Sequence, residues 1–137
     1  MKVFLDTNVL LDVLLKRIPH YIESGSIWTL AESRKIDGVV SALSYPNSAY
    51  VLRAQGRQRI RDAIVLLQGV FRCIPLDEDI LRHAFEYDMV DYEDAIQYAS
   101  AIRAGADCLI TRNARHFPVQ DVLILSPAEF LARRLWE

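Results

Sequence analysis

The sequence is short of most features that announce a function at once. Among its 137 residues there are only two cysteines, three histidines, five glycines and five prolines. Two cysteines cannot make a disulfide framework or a paired-cysteine zinc site. Cys73 and Cys108 both sit in apolar stretches and are expected to be free thiols in the core. His20, His83 and His116 are scattered along the chain and suggest no zinc centre. The dispersed glycines form no phosphate-cradling loop, and there is no nucleophilic-serine elbow and no His-Glu-x-x-His helix. No apolar run approaches the about 18 to 20 residues that a membrane span needs. The opening residues turn acidic too early, at Asp6, for a signal peptide, so a cytoplasmic protein with no membrane association is expected. Charge of one sign is lacking too. Sixteen basic against eighteen acidic residues leave a net charge of -2, so nucleic-acid binding would need a local basic patch or bound metal ions.

What is present is an ordinary globular composition, 52% hydrophobic and 25% charged, with no repeat, linker or low-complexity tract. One domain over residues 1–137 is expected. Val3-Phe4-Leu5 is a short apolar run stopped by Asp6, and Asp6-Thr7-Asn8 supplies cap-type side chains before the apolar helix Val9 to Leu15. Lys16 to Pro19 breaks that helix; a second runs from Tyr21 to about Lys35, and Asp37-Gly38 ends it. A buried strand begins at Val39-Val40, and a helix covers Ser44 to Arg53. After the break at Gln55-Gly56, Ile60, Ala63, Ile64 and Leu67 mark an amphipathic helix. Val70 to Ile74 reads as a strand and Asp77 to Tyr87 as a helix. Asp91 caps the next helix, which Gly105 stops. Asp107 to Ile110 is a fourth strand, Thr111 to Pro118 a loop, and Val122 to Ile124 a fifth strand. Ser126-Pro127 opens a last helix with Glu129 at its positive end. Apolar strands alternating with helices predict a three-layer α/β/α fold around a mostly parallel sheet of about five strands.

In an open parallel sheet, sites form where the strands end at their carboxyl sides. Asp6 falls there after the first strand, and Thr111-Arg112-Asn113 after the fourth. Asp91, Glu93 and Asp94 open the helix that leads into that fourth strand, with Asp91 and Asp94 three apart on neighbouring helix positions. Carboxylates gathered in this way suit Mg²⁺ or Mn²⁺, which take oxygen ligands and keep several waters. Each residue also has a plainer role: Asp6 and Asp91 as helix caps, Glu93 and Asp94 as partners of a helix dipole, Asn113 as a turn residue. Arg112 and Arg115 flank the strand end and can clamp phosphate, as can the run Arg53, Arg57, Arg59 and Arg61, which otherwise reads as a solvated helix face. Tyr45 and Tyr50 are either packing residues or platforms for bases.

The stretch Phe4-Leu5-Asp6-Thr7-Asn8-Val9-Leu10-Leu11-Asp12 resembles the opening signature of the PIN-domain nucleases. Asp91-Tyr92-Glu93-Asp94-Ala95-Ile96-Gln97-Tyr98-Ala99-Ser100-Ala101 resembles that family's acidic helix. Asp107 to Asn113 with Phe117 resembles its closing strand and loop, and Ile124 to Leu131 its C-terminal end. The resemblance implies a PIN-like fold and a metal-dependent endoribonuclease. Asp6 and Asp94 would hold Mg²⁺ or Mn²⁺, Asp91 would support the cluster, and Asn113 would complete the catalytic set. Asn8, Asn47, Thr111, Arg112 and Arg115 would contact substrate. Hydrolysis would leave a 5′-phosphate and a 3′-hydroxyl. The resemblance to small VapC-type toxins further implies a bacterial toxin–antitoxin pair, a homodimer, and an antitoxin that inserts a segment into the acidic groove.

The sequence departs from the family pattern in two places. The helix after the second strand carries no glutamate, and Asn47 is the nearest polar substitute; Asn113 stands where an aspartate is common. The departures support an alternative, a weak or inactive PIN-like domain that binds RNA or a protein partner. A receiver-like signalling domain would need a lysine near its end, and the chain's lysines are Lys2, Lys16 and Lys35.

Overall fold

The computed structural model describes residues 1–118 and 121–137. Five strands alternate with seven α-helices among those residues: β1 (Lys2–Leu5), α1 (Thr7–Leu14), α2 (Tyr21–Glu32), β2 (Asp37–Ser41), α3 (Ser44–Val51), α4 (Arg57–Val70), β3 (Arg72–Ile74), α5 (Glu78–Glu86), α6 (Tyr92–Arg103), β4 (Cys108–Ile110), β5 (Leu123–Leu125) and α7 (Pro127–Arg133). Short 3₁₀ turns cover Arg53–Gln55 and Ala114–His116. All four strand pairings are parallel, in the order β3-β2-β1-β4-β5.

Alternation along the strands divides the core into two. Val3 and Leu5 of β1 pack with the apolar faces of α1, α2, α4 and α7, through Leu10, Ile27, Leu67 and Phe130 among others. Phe4, Val39 and Leu109 lie in register on the opposite side, against Tyr98 and Ala101 of α6. There α6 also packs on α5 through Ile80, Ala84, Ala95, Ile96 and Ala99. Helices on both faces of a parallel sheet give the expected three layers, because each strand buries side chains in both directions.

Several end signals act as the sequence predicts. Asp91 caps α6 by accepting from the Asp94 N–H, while Asp77, expected as the first residue of its helix, is instead the cap of α5 and accepts from the Ile80 N–H. Ser126 and Glu129 form a reciprocal capping box on α7. Gly105, at φ +65°, stops α6.

Other expectations need correction. Gly38 does not end α2, which finishes at Glu32; it lies within β2. A Cβ on Gly38 would meet the Phe71 ring at 2.7 Å, so the glycine makes room for an aromatic side chain. Cys108 is buried as predicted, and burial pushes its thiol up to about 12, but Cys73 is exposed. It sits on β3, an edge strand of the sheet, whose residues are less covered than those of the central strands.

Candidate functional site

Strand order makes the site. β1 lies at the centre of the sheet, with β2 on one side and β4 on the other, so connections leave its two flanks in opposite directions. At such a reversal the chain segments beyond the strand ends diverge and leave a crevice. Asp6 and Thr111 are the first residues past β1 and β4. They are held level by the Asp6 N–H donating to the Ile110 carbonyl at 3.0 Å and the Thr111 N–H donating to that of Leu125 at 3.0 Å.

Asp6 occupies the N-cap position of α1 but its side chain caps nothing. Instead Oδ2 accepts the Thr111 hydroxyl at 2.8 Å, and the Thr111 oxygen in turn accepts the Asn113 N–H at 3.1 Å. Asp6 is only 3% exposed, and the pKa of its carboxyl group is raised to about 6. Burial is the main cause; the Thr111 hydrogen bond opposes it, and the charge of Asp94 adds to it. Asp94 is itself raised, by burial first and then by Asp91 and Glu93, while His116 pulls it down.

These groups line one groove of about 450 Å³, walled by Asp6, Asn8, Asn47, Asp91, Glu93, Asp94, Asn113 and His116. Asp91 is on the wall, yet one of its oxygens is used in the α6 cap. Asn47 brings its Nδ2 to 3.5 Å from Glu93. The carboxylate set on this wall therefore comes from β1 and the first turn of α6. Among the described residues, no group of three or more His, Cys, Asp or Glu side chains is arranged to hold a metal ion.

Three of the anticipated contacts lie elsewhere. Thr111 is fully buried behind Asp6 and acts on its carboxylate. Arg112 turns away, donating from Nε to Oδ2 of Asp12 at 3.0 Å. Arg115 is exposed and off the groove wall. Asp12, on the buried side of α1, also accepts the Ser24 hydroxyl at 2.9 Å and has Arg17 at 3.9 Å. Sequence reasoning passed over Asp12 and over a second buried group. Thr7 shares a hydrogen bond with Ser44 at 2.7 Å and accepts from Gln97 Nε2 at 2.9 Å, tying α1, α3 and α6 together under the groove. The available signal was Gln97 itself, a polar residue within the apolar run of α6.

The titration of Asp6 gives a stability prediction. Its folded pKa lies above the ordinary carboxylate value, so its stabilising contribution is complete below about pH 4. It is lost as pH rises through about 6, at a cost of about 3 kcal/mol. In EDTA, Asp6→Asn is therefore expected to be more stable than the wild type at pH 8 and nearly equal to it at pH 4, as measured by urea unfolding. Equal stability at both pH values would contradict the assignment.

The sequence profile of the PIN domain matches residues 2–115. The chain belongs to the PIN-domain family. No curated protein matches it. Solved structures place the likeness at the level of fold. A toxin–antitoxin complex from Klebsiella pneumoniae is 23% identical with a TM-score of 0.68, covering 91% of this chain and 97% of that one. VapBC-1 from nontypeable Haemophilus influenzae is 20% identical with a TM-score of 0.69, covering 93% and 99%. VapBC2 from Rickettsia felis, bound to a DNA fragment from its promoter, is 13% identical with a TM-score of 0.70, covering 92% and 98%. No helix of this PIN domain, among the described residues, is long and apolar enough to cross a membrane.

Proposed function

We propose that this PIN domain is a Mg²⁺- or Mn²⁺-dependent endoribonuclease, the toxin of a toxin–antitoxin pair. The observation that carries the reading is Asp6: a buried carboxylate at the strand-order reversal, not used as a cap, with its pKa raised and Asp94 adding to the shift. A carboxylate costs free energy to bury without a cation beside it, and at Asp6 that cost outweighs the Thr111 hydrogen bond. The donor set fits one ion held by Asp6 and Asp94 and otherwise by water, which is how Mg²⁺ is commonly bound. When bound, such an ion supplies an activated water and offsets charge on the phosphate.

The protein's own groups do the rest. Thr111 fixes the Asp6 carboxylate through a hydrogen bond that Asn113 supports from behind. Asp91 sets the first turn of α6, so that Asp94 presents its side chain to the groove. Asn8 and Asn47 offer amide donors to phosphate oxygens on the wall, and His116 is placed beside Asp94 to deliver or remove a proton. The partner is taken to be an antitoxin protein, since the solved structures of similar fold include a toxin–antitoxin complex. A homodimer and a cytoplasmic location belong to the same reading.

The sparse ligand set favours a second reading, an inactive domain that binds RNA or a protein through the same groove. Incubation of a mixed structured RNA pool with the protein separates the two. Cutting that needs Mg²⁺ or Mn²⁺ and stops in EDTA is expected of the nuclease; RNA retention without cutting is expected of the binding domain.

A further inference from the structure

Tyr50 stands on the wall of the groove, and Arg53, in the 3₁₀ turn that follows α3, is its neighbour. Tyr50 lies in the last turn of α3 on the groove wall beside Val51, is 65% exposed, and contributes to none of the three core clusters. Tyr45, one turn earlier, differs: it packs against the main core, where burial raises its pKa. Arg53 lays its guanidinium over the Tyr50 ring, 3.8 Å from the centroid, and donates from Nη1 to the Tyr50 carbonyl at 2.7 Å. That backbone contact holds the cation on one face of the ring. Arg53 has no carboxylate partner among the described ion pairs.

The other arginines of this stretch are arranged differently. Arg59 is bound to the Leu14 carbonyl, while Arg57 and Arg61 are exposed on α4. The groove itself presents Asp6, Asp91, Glu93 and Asp94, which repel phosphate at its floor. A nucleic acid approaching this groove therefore gains most at the rim, from an aromatic face and the cation fixed behind it. Base-on-aromatic stacking tolerates any base but needs one whose face is free, which a duplex interior does not offer.

We propose that Tyr50, backed by Arg53, is a base-stacking platform that seats an unpaired nucleotide of RNA at the mouth of the acidic groove. The inference rests on the reading of that groove as the RNA site and adds the residues that would receive a base there.

The test uses a short unstructured RNA carrying 2-aminopurine, and the same sequence annealed to its complement, with the full chain in EDTA at low salt. Quenching of the probe on binding the single strand is expected, with weaker binding of the duplex. Tyr50→Ala should weaken single-strand binding about tenfold or more and remove the quenching, whereas Tyr50→Phe should retain both. Arg53→Ala should weaken single-strand binding by a smaller factor. Single-strand binding unchanged in Tyr50→Ala, equal binding of duplex and single strand, or no binding of either would overturn the platform. Metal-dependent cleavage by the wild type is read separately, so an unaffected Tyr50→Ala with EDTA-sensitive cutting sinks the platform and leaves the nuclease standing. Circular dichroism of the variants confirms folding, which a change at an exposed side chain should not disturb.

Discussion

Asp6→Asn is expected to lower metal-dependent RNA cleavage by about a thousandfold while leaving the protein folded. That factor corresponds to about 4 kcal/mol of transition-state stabilisation that depends on a correctly held ion. Asparagine preserves the shape of the side chain and can still accept the Thr111 hydroxyl, so the change isolates the charge. Asp94→Asn should act in the same direction, because its carboxylate is the groove partner whose charge bears on Asp6. Asp91 offers a control within the same helix turn. Asn caps helices about as well as Asp, so Asp91→Asn keeps the α6 cap and should cost about tenfold or less. A measured kcat in Asp6→Asn within a few-fold of the wild type would remove Asp6 from the chemistry.

Asp12→Ala is expected to destabilise the fold by about 3 kcal/mol although Asp12 lies off the groove wall. Asp12 is fully buried, and its substitution strands the Ser24 hydroxyl and the Arg112 guanidinium that now converge on Oδ2. Losing one partner of a buried pair costs about 3 to 5 kcal/mol; the lower figure applies because Arg112 stays 26% exposed and can rehydrate. The pair also ties α1 to the segment that carries Thr111 and Asn113, so the Asp6 hydrogen bond should loosen as a secondary effect. A double-mutant cycle in urea tests this. Asp12→Ala combined with Arg112→Ala should cost clearly less than the sum of the two, and strict additivity would show that the pair contributes nothing.

The elements that position the site were legible because each rests on a local rule. Asp91 and Ser126 announce helix starts, and Gly105 announces a stop, in the few residues around them. The parallel sheet follows from apolar strands separated by helices, and its carboxyl edge directs attention to Asp6, Asp94 and Asn113, which do share a groove. What escaped depends on contacts between distant segments. Whether Asp6 caps α1 or turns to Thr111 is decided by residues 105 positions apart. Arg112 reads as a phosphate clamp until Asp12, a hundred residues away, is found beneath it. Gly38 looks like a helix stop, and only the Phe71 ring explains why it is in a strand. Cys73 reads as core from its apolar neighbours, and strand order alone puts it at an edge.

Whether Asp6 and Asp94 hold a divalent cation is read by Mn²⁺ binding followed by electron paramagnetic resonance, which detects the bound ion without any substrate. With that assignment the wild type binds one Mn²⁺ per chain at pH 8, excess Mg²⁺ displaces the ion, and Asp6→Asn and Asp94→Asn each abolish its binding. Undiminished Mn²⁺ binding in both variants, or none in the wild type, would contradict it.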